Sequence, residues 1–211
     1  MPGMDLQALR VTAGPSVLVD LTAHIAPGQV LTIMGPSGSG KSTLLAAITG
    51  TLTPGLQQSG RVLLDGRDLT ALPTRDRRIG ILFQDPLLFP HLSVAGNLAF
   101  ALPQRSPDRA RQIETALEEA GLPGFGPRDP ATLSGGERAR VALMRTLLAA
   151  PKALLLDEPF SRLDAALRAQ IRSFVLQTAR SRGLPTLMVT HDASDASAAG
   201  GGVLSPTGAQ L

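Results

Sequence analysis

The sequence predicts an α/β fold with a mostly parallel sheet, an antiparallel β edge and a helical insertion, and three observations carry that prediction. Val30–Met34 is a short apolar run that enters a glycine-rich turn and is followed by a helical pattern, the strand-turn-helix order of a parallel-sheet unit. Ala153–Leu156 and Pro185–Thr190 are two more short apolar runs, each tipped by polar residues, as suits central strands buried on both faces. Between the first run and these two, strand signals fade, and Pro86, Pro90, Pro103, Pro107, Pro123, Pro127 and Pro130 divide short helical pieces.

In chain order, Leu6–Val11 and Val17–Ile25 alternate like strands, with turn signals at Gly14-Pro15 and Pro27-Gly28, and form the antiparallel edge. The turn after Met34 is Gly35-Pro36-Ser37-Gly38-Ser39-Gly40-Lys41-Ser42-Thr43, which fits the phosphate loop G-x-x-x-x-G-K-[ST] at every fixed position. Glycines let the backbone close around an anion with its N–H groups pointing inward, and the N-terminus of the helix Thr43–Ile48 adds positive potential. Lys41 is placed to reach the outer phosphates and Ser42 to take Mg²⁺, so the core is that of a P-loop NTPase. Thr53-Pro54-Gly55 then breaks the chain, and Gly60–Asp65 reads as a strand ending in the hairpin signal Asp65-Gly66. Arg75–Arg78 is a solvated charge run before Ile79–Phe83, an apolar strand that ends on the polar Gln84.

Within the insertion, Ser106-Pro107-Asp108 predicts a helix start with Ser106 as cap and Pro107 at the first position. Ile113, Ala116, Leu117 and Ala120 share its apolar face and Gly121 ends it. The next helix starts at Ser134-Gly135-Gly136-Glu137, turns Val141, Met144, Leu147 and Leu148 inward and stops before Pro151. Capping-box spacing accounts for Ser134 and Glu137 without any function, whereas Gly135 and Gly136 are costly in a first helical turn. Close approach of a phosphate to bare backbone N–H groups supplies a reason for both.

The strand Ala153–Leu156 ends in Asp157-Glu158-Pro159. Far downstream of a phosphate loop, Asp157 is placed to hold the metal through its water shell. Glu158, one residue further along the C-terminal edge of the sheet, is placed to polarise water for attack on a γ-phosphate. Its plain alternative is an acid at a helix N-terminus, favoured by the dipole. The following helix packs Leu167, Ile171, Phe174, Val175 and Thr178 on one face and ends near Gly183. His191, at the tip of Pro185–Thr190, would alone read as a surface histidine; beside the other strand tips it reads as a γ-phosphate contact. From Ala193 to Leu211 periodicity is weak, so any last strands are short.

Composition narrows the functional classes. At 211 residues and 43% hydrophobic, the chain is expected to form one compact unit. A formal charge of +3, with scattered arginines and only Lys41 and Lys152 as lysines, is no nucleic-acid patch. The absence of cysteine excludes disulfides and thiolate metal sites. Neither a signal peptide at Met1–Leu6 nor an apolar run of about 18 residues is found, so secretion by a signal and membrane spanning are not expected.

The phosphate loop, Gln84, Leu133-Ser134-Gly135-Gly136-Glu137, Asp157-Glu158, Ser161-Arg162-Leu163-Asp164 and His191 stand in the order of the six motifs of the ATP-binding cassette (ABC) family. From about residue 5 to 192 the chain resembles that family, and it looks like the small stand-alone ATPase subunits of bacterial importers. The resemblance implies ATP held by Gly35–Thr43, Mg²⁺ held by Ser42, Gln84 and Asp157, and catalysis by Lys41, Gln84, Glu158 and His191. It also implies a head-to-tail homodimer: the signature Ser134–Glu137 of one subunit closes on ATP in the other, with Ser161 and Asp164 of the Asp loop at the contact. Further implied are one ABC ATPase domain over 1–211, with a core of about 1–84 and 151–211 and a helical subdomain of about 85–150. That subdomain would touch separate membrane-spanning permease subunits at the cytoplasmic face of the inner membrane, alongside an extracytoplasmic solute-binding protein and no nucleic acid. The rival from another class, a DNA-repair ATPase, needs a long coiled-coil or zinc-binding insertion, and the sequence has neither heptads nor cysteines. Two features depart from the family. No Tyr or Trp is available to stack on adenine, Val11, Thr12 and Ala13 standing where an aromatic is usual, and the Gly-rich C-terminus carries no regulatory domain, so no C-terminal ligand sensing is expected.

Overall fold

The computed structural model describes residues 2–211, which divide into two compact units. The first takes the stretch up to Ile81, Lys152–Glu158 and Leu176–Leu211; the second takes Leu82–Pro151 and Pro159–Val175.

The first unit opens with β1 (Met4–Ala13) and β2 (Ser16–Ile25), an antiparallel pair closed by Gly14-Pro15 and registered Met4↔Ile25 and Val11↔Val19. β3 (Val30–Met34) and α1 (Lys41–Thr49) follow, then β4 (Leu56–Leu64), β5 (Arg67–Asp68) and β6 (Ile79–Leu82). β4 starts before the predicted Gly60 and pairs with β1, and Asp65 (φ 52) and Gly66 (φ 78) both adopt positive φ, as the tight β4–β5 hairpin turn demands. The antiparallel edge is thus a sheet of its own, in the order β2-β1-β4-β5. Met4, Leu6, Leu9, Val11, Val19 and Leu21 from it share one core with Leu44, Leu45, Ala47 and Ile48 of α1.

The other sheet has the order β6-β7-β8-β3-β9, with β7 at Ala153–Asp157, β8 at Thr186–Thr190 and β9 at Val203–Leu204. Its central strands are buried nearly end to end, which is why they read as continuous apolar runs rather than alternating ones. Parallel registers Met34↔Thr190 and Asp157↔Val189 bring the C-terminal ends of β3, β7 and β8 into one row. Residues distant in sequence therefore leave the sheet side by side.

The second unit contains α2 (Val94–Ala101), α3 (Arg109–Glu119), α4 (Gly135–Leu148) and the first turns of α5 (Ala165–Ser181). α3 departs from expectation: Ser106 is not its cap. Gln112 Nε2 donates to Ser106 Oγ at 3.0 Å and to the Pro107 carbonyl at 2.7 Å, holding the two in the preceding turn, and the helix starts at Arg109 after a left-handed Asp108. Ala116, Leu117 and Ala120 are buried as its periodicity requires. α2 is fixed by Ser93, whose hydroxyl accepts from the Gly96 N–H at 3.1 Å. In the first unit, the weakly periodic tail contains α6 (Ala193–Ala199), capped by Asp192, as well as the short β9.

Candidate nucleotide site

The phosphate loop spans the turn from β3 to α1, with Pro36, Ser37, Gly38 and Ser42 exposed, Gly35, Ser39 and Thr43 half-buried, and Gly40 and Lys41 buried. Gly40 has φ +99, and a Cβ there would lie 2.3 Å from the Leu18 carbonyl oxygen, so only glycine lets the loop pass β2. Lys41 is folded onto its own loop: Nζ donates to the carbonyls of Gly35 (2.7 Å) and Pro36 (2.9 Å) and stands 3.8 Å from Glu158 Oε1. Ser39 Oγ is buried without a partner.

β7 delivers Asp157 and Glu158 to the same edge. Burial pushes the Asp157 carboxyl above the ordinary range, the neighbouring Glu158 adds to the rise, and Lys41 opposes it. Glu158 has φ +45, an uncommon conformation for a side chain of its size, and its N–H still pairs with the Val189 carbonyl at 3.0 Å. The turn points its carboxylate two ways, Oε1 toward Lys41 and Oε2 to His191 Nδ1 at 3.1 Å. His191 leaves β8, followed by a network that sequence reasoning missed: Thr190 Oγ1 accepts from the Asp192 N–H (3.0 Å) and meets the buried Asp195 (3.5 Å). The capping spacing of Asp192 and Ser194 was its one readable signal.

Lys41, Ser42, Asp157, Glu158 and His191 thus all belong to the first unit, whereas Gln84, Ser134–Glu137, Ser161 and Asp164 belong to the second. There, Gln84 is exposed just past β6. Asp85 pairs with Arg162 at 2.9 Å, linking the segment after Gln84 to the one before Asp164. The capping box at α4 is complete: Ser134 Oγ accepts from the Glu137 N–H, and Glu137 Oε2 accepts from the Ser134 N–H at 2.7 Å, a bond that lowers the Glu137 pKa. The two glycines differ. A Cβ on Gly136 would meet Leu167 Cδ1 at 2.6 Å, so packing against α5 by itself favours a glycine there. One on Gly135 would meet only Leu163 Cδ2 at 3.5 Å, an ordinary contact, so packing leaves Gly135 unexplained. Asp164 Oδ1 accepts from the Leu167 N–H at 3.0 Å and caps α5.

A divalent ion fits the donor chemistry. No group of three or more His, Cys, Asp or Glu suited to a metal occurs among the described residues. One carboxylate, Asp157, together with the Ser42 hydroxyl, is the sparse set that Mg²⁺ uses when phosphate oxygens and water complete its shell.

The sequence profile of the ABC transporter family matches residues 18–161. The chain belongs to that family. It is 50% identical over 181 residues to the uncharacterized ABC transporter ATP-binding protein YnjD of Escherichia coli (strain K12), covering 85% of this chain and 83% of the relative. Over 198 residues it is 46% identical to the thiamine import ATP-binding protein ThiQ of Cereibacter sphaeroides, covering 92% of this chain and 83% of the relative. It spans about half the length of two other relatives, 51% of an Fe(3+) ions import ATP-binding protein of Rhizobium meliloti and 52% of a sulfate/thiosulfate import ATP-binding protein of Gloeobacter violaceus. The solved structure of cbiO1 from Clostridium perfringens, part of the ABC transporter complex cbiONQ, superposes with a TM-score of 0.84 at 27% identity, over 97% of this chain and 85% of that one. The protein is therefore an ATP-binding subunit of ABC type and a transport ATPase, and none of these relatives favours the DNA-repair reading. Among the described residues, no helix is long and apolar enough to cross a membrane. Of the positions where the family usually places its adenine-stacking aromatic, Val11 is buried in the core, while Thr12 and Ala13 are half-buried.

Proposed function

We propose that this chain powers solute import through separate permease subunits at the cytoplasmic face of the inner membrane, supplied by an extracytoplasmic solute-binding protein. It does so as one ABC ATPase domain over 1–211, with a core of about 1–84 and 151–211 and a helical subdomain of about 85–150. The observation that carries the catalytic part is the placement of Glu158 between Lys41 and His191.

In this reading, the N–H groups of Gly35–Thr43 cradle the phosphates, and Lys41 exchanges its carbonyl partners for phosphate oxygens. Ser42, Asp157 and Gln84 hold Mg²⁺, which when bound neutralises phosphate charge. Glu158 accepts the proton of the attacking water, and His191 fixes the carboxylate while contacting the γ-phosphate. Ser134, Gly135, Gly136 and Glu137 begin α4, whose N-terminus closes on ATP held by the partner of a head-to-tail homodimer, and Ser161 and Asp164 lie at that contact. The relatives support import over export, since the Rhizobium, Cereibacter and Gloeobacter proteins are all import ATP-binding proteins. Solute choice resides in the partners. Affinity purification of the tagged chain from detergent-solubilised membranes tests this: a polytopic membrane protein should accompany it. Direct, tight binding of a transported solute to the purified chain would refute the assignment of specificity.

A further inference from the structure

The loop after Gln84 is held by two polar side chains rather than by regular structure. Arg145, in α4, donates through Nη1 to the Leu87 carbonyl (2.9 Å) and Asn97 Oδ1 (3.3 Å), and through Nη2 to the Pro86 carbonyl (3.2 Å). Its guanidinium lies 5.2 Å from the centroid of the Phe89 ring. Asn97, fully buried in α2, takes the other end of the loop. Its Oδ1 accepts from the Phe89 N–H (2.8 Å), and its Nδ2 donates to the carbonyls of Phe89, Leu92 and Ser93. Leu87 itself has φ +46, a region a leucine keeps only when its surroundings hold it there.

All of Arg145's acceptors are uncharged, and burial lowers its guanidinium pKa. An ion pair does not explain this cation. What the position uses is the planar fork, which reaches two successive carbonyls and a side-chain amide at once; a lysine ammonium on a flexible stem does not reproduce that.

We propose that Arg145 is a positioning residue for Gln84: with Asn97 it locks Pro86–Phe89 onto α4, so that Gln84 and Ser134–Glu137 belong to one rigid piece. This rests on the reading of Gln84 as a metal and γ-phosphate contact. A displacement of Gln84 toward phosphate is then carried by the same helix whose first turn meets the partner's nucleotide.

The test uses the full chain as wild type, Arg145→Lys, Gln84→Ala and the double variant, with ATPase kinetics and amide hydrogen exchange of residues 84–89. Misplacement of about an ångström predicts that Arg145→Lys lowers kcat by about 10- to 100-fold. KM should stay within about threefold and exchange in the loop should speed up more than exchange in the rest of the chain. The double variant should be no slower than Gln84→Ala alone, because both act through one group. Multiplying defects in the double variant, or unchanged loop exchange in Arg145→Lys, overturn the proposal. Wild-type kcat for Arg145→Lys beside a slow Gln84→Ala overturns the strut and leaves the Gln84 role standing. Wild-type kcat for Gln84→Ala overturns that role and the strut with it. If Arg145→Lys does not fold, Arg145→Gln, which keeps one planar donor, takes its place under the same criteria.

Discussion

Alanine at Gly135 and, separately, at Gly136 divides packing from chemistry at the start of α4. Ala is favoured over Gly in a helix by about 0.8–1.0 kcal/mol, an upper bound in the first turn. At Gly135 nothing offsets that gain, because the new methyl meets Leu163 at an ordinary 3.5 Å. At Gly136 the methyl would sit 2.6 Å from Leu167 Cδ1 and 3.3 Å from Ile171 Cδ1. Overpacking typically costs about 1–3 kcal/mol, and here the lower end applies, since the atom met is the end of a leucine that can swing aside. At about 2–4 °C per kcal/mol for a chain of this size, Gly135→Ala should melt up to about 4 °C above wild type and Gly136→Ala at or below it. Hydrolysis should tell a different story for Gly135, because a methyl there narrows the approach of the partner's phosphate to the helix N-terminus. Differential scanning calorimetry and a phosphate-release assay read the two effects. If Gly136→Ala melts as high as Gly135→Ala, the close approach to α5 is wrong; if Gly135→Ala turns over like wild type, that glycine has no phosphate to meet.

Lys41→Ala should lower turnover by about 10²-fold or more, as for other lost charge-stabilising donors, and turnover within twofold of wild type would sink the phosphate-loop assignment. Asp157→Asn should raise the melting temperature of the metal- and nucleotide-free protein at pH 7.5. A carboxyl whose folded pKa lies above its unfolded value weakens the fold as pH rises through that folded pKa, so the variant's advantage should shrink on acidification below it, and an advantage independent of pH would contradict the raised value. Base stacking on an aromatic is worth about 1–3 kcal/mol, and with none at Val11–Ala13 ATP should be preferred over GTP by less than about tenfold in equilibrium titration. A hundredfold preference would point to a base-specific contact elsewhere.

The parallel strands and the phosphate loop are legible in the sequence because burial on both faces and a fixed glycine pattern leave local signals. Ser134 and Glu137 are legible for the same reason, since a capping box is written within four consecutive residues. What the sequence hides is register. Only the pairings Met34↔Thr190 and Asp157↔Val189 bring Lys41, Glu158 and His191 together, and no local pattern encodes them. The cap of α3 is misread because Gln112, six residues beyond Ser106, competes for it. Gly136 also has a packing reason that the sequence hides, because Leu167, against which it sits, lies on a different helix.

Glu158→Gln tests the central claim most directly, because glutamine keeps the size and hydrogen bonding of the carboxylate but accepts no proton. Hydrolysis should fall by about 10²–10⁴-fold while ATP and Mg²⁺ still bind. Uncleaved ATP should then hold two chains together as a dimer on gel filtration, ADP should not, and adding Ser134→Arg should dissolve the dimer by obstructing the helix that meets the partner's phosphate. An ATP-loaded Glu158→Gln protein that hydrolyses like wild type, or that stays monomeric at roughly tens of micromolar, where a 1 μM contact would be saturated, would contradict the account.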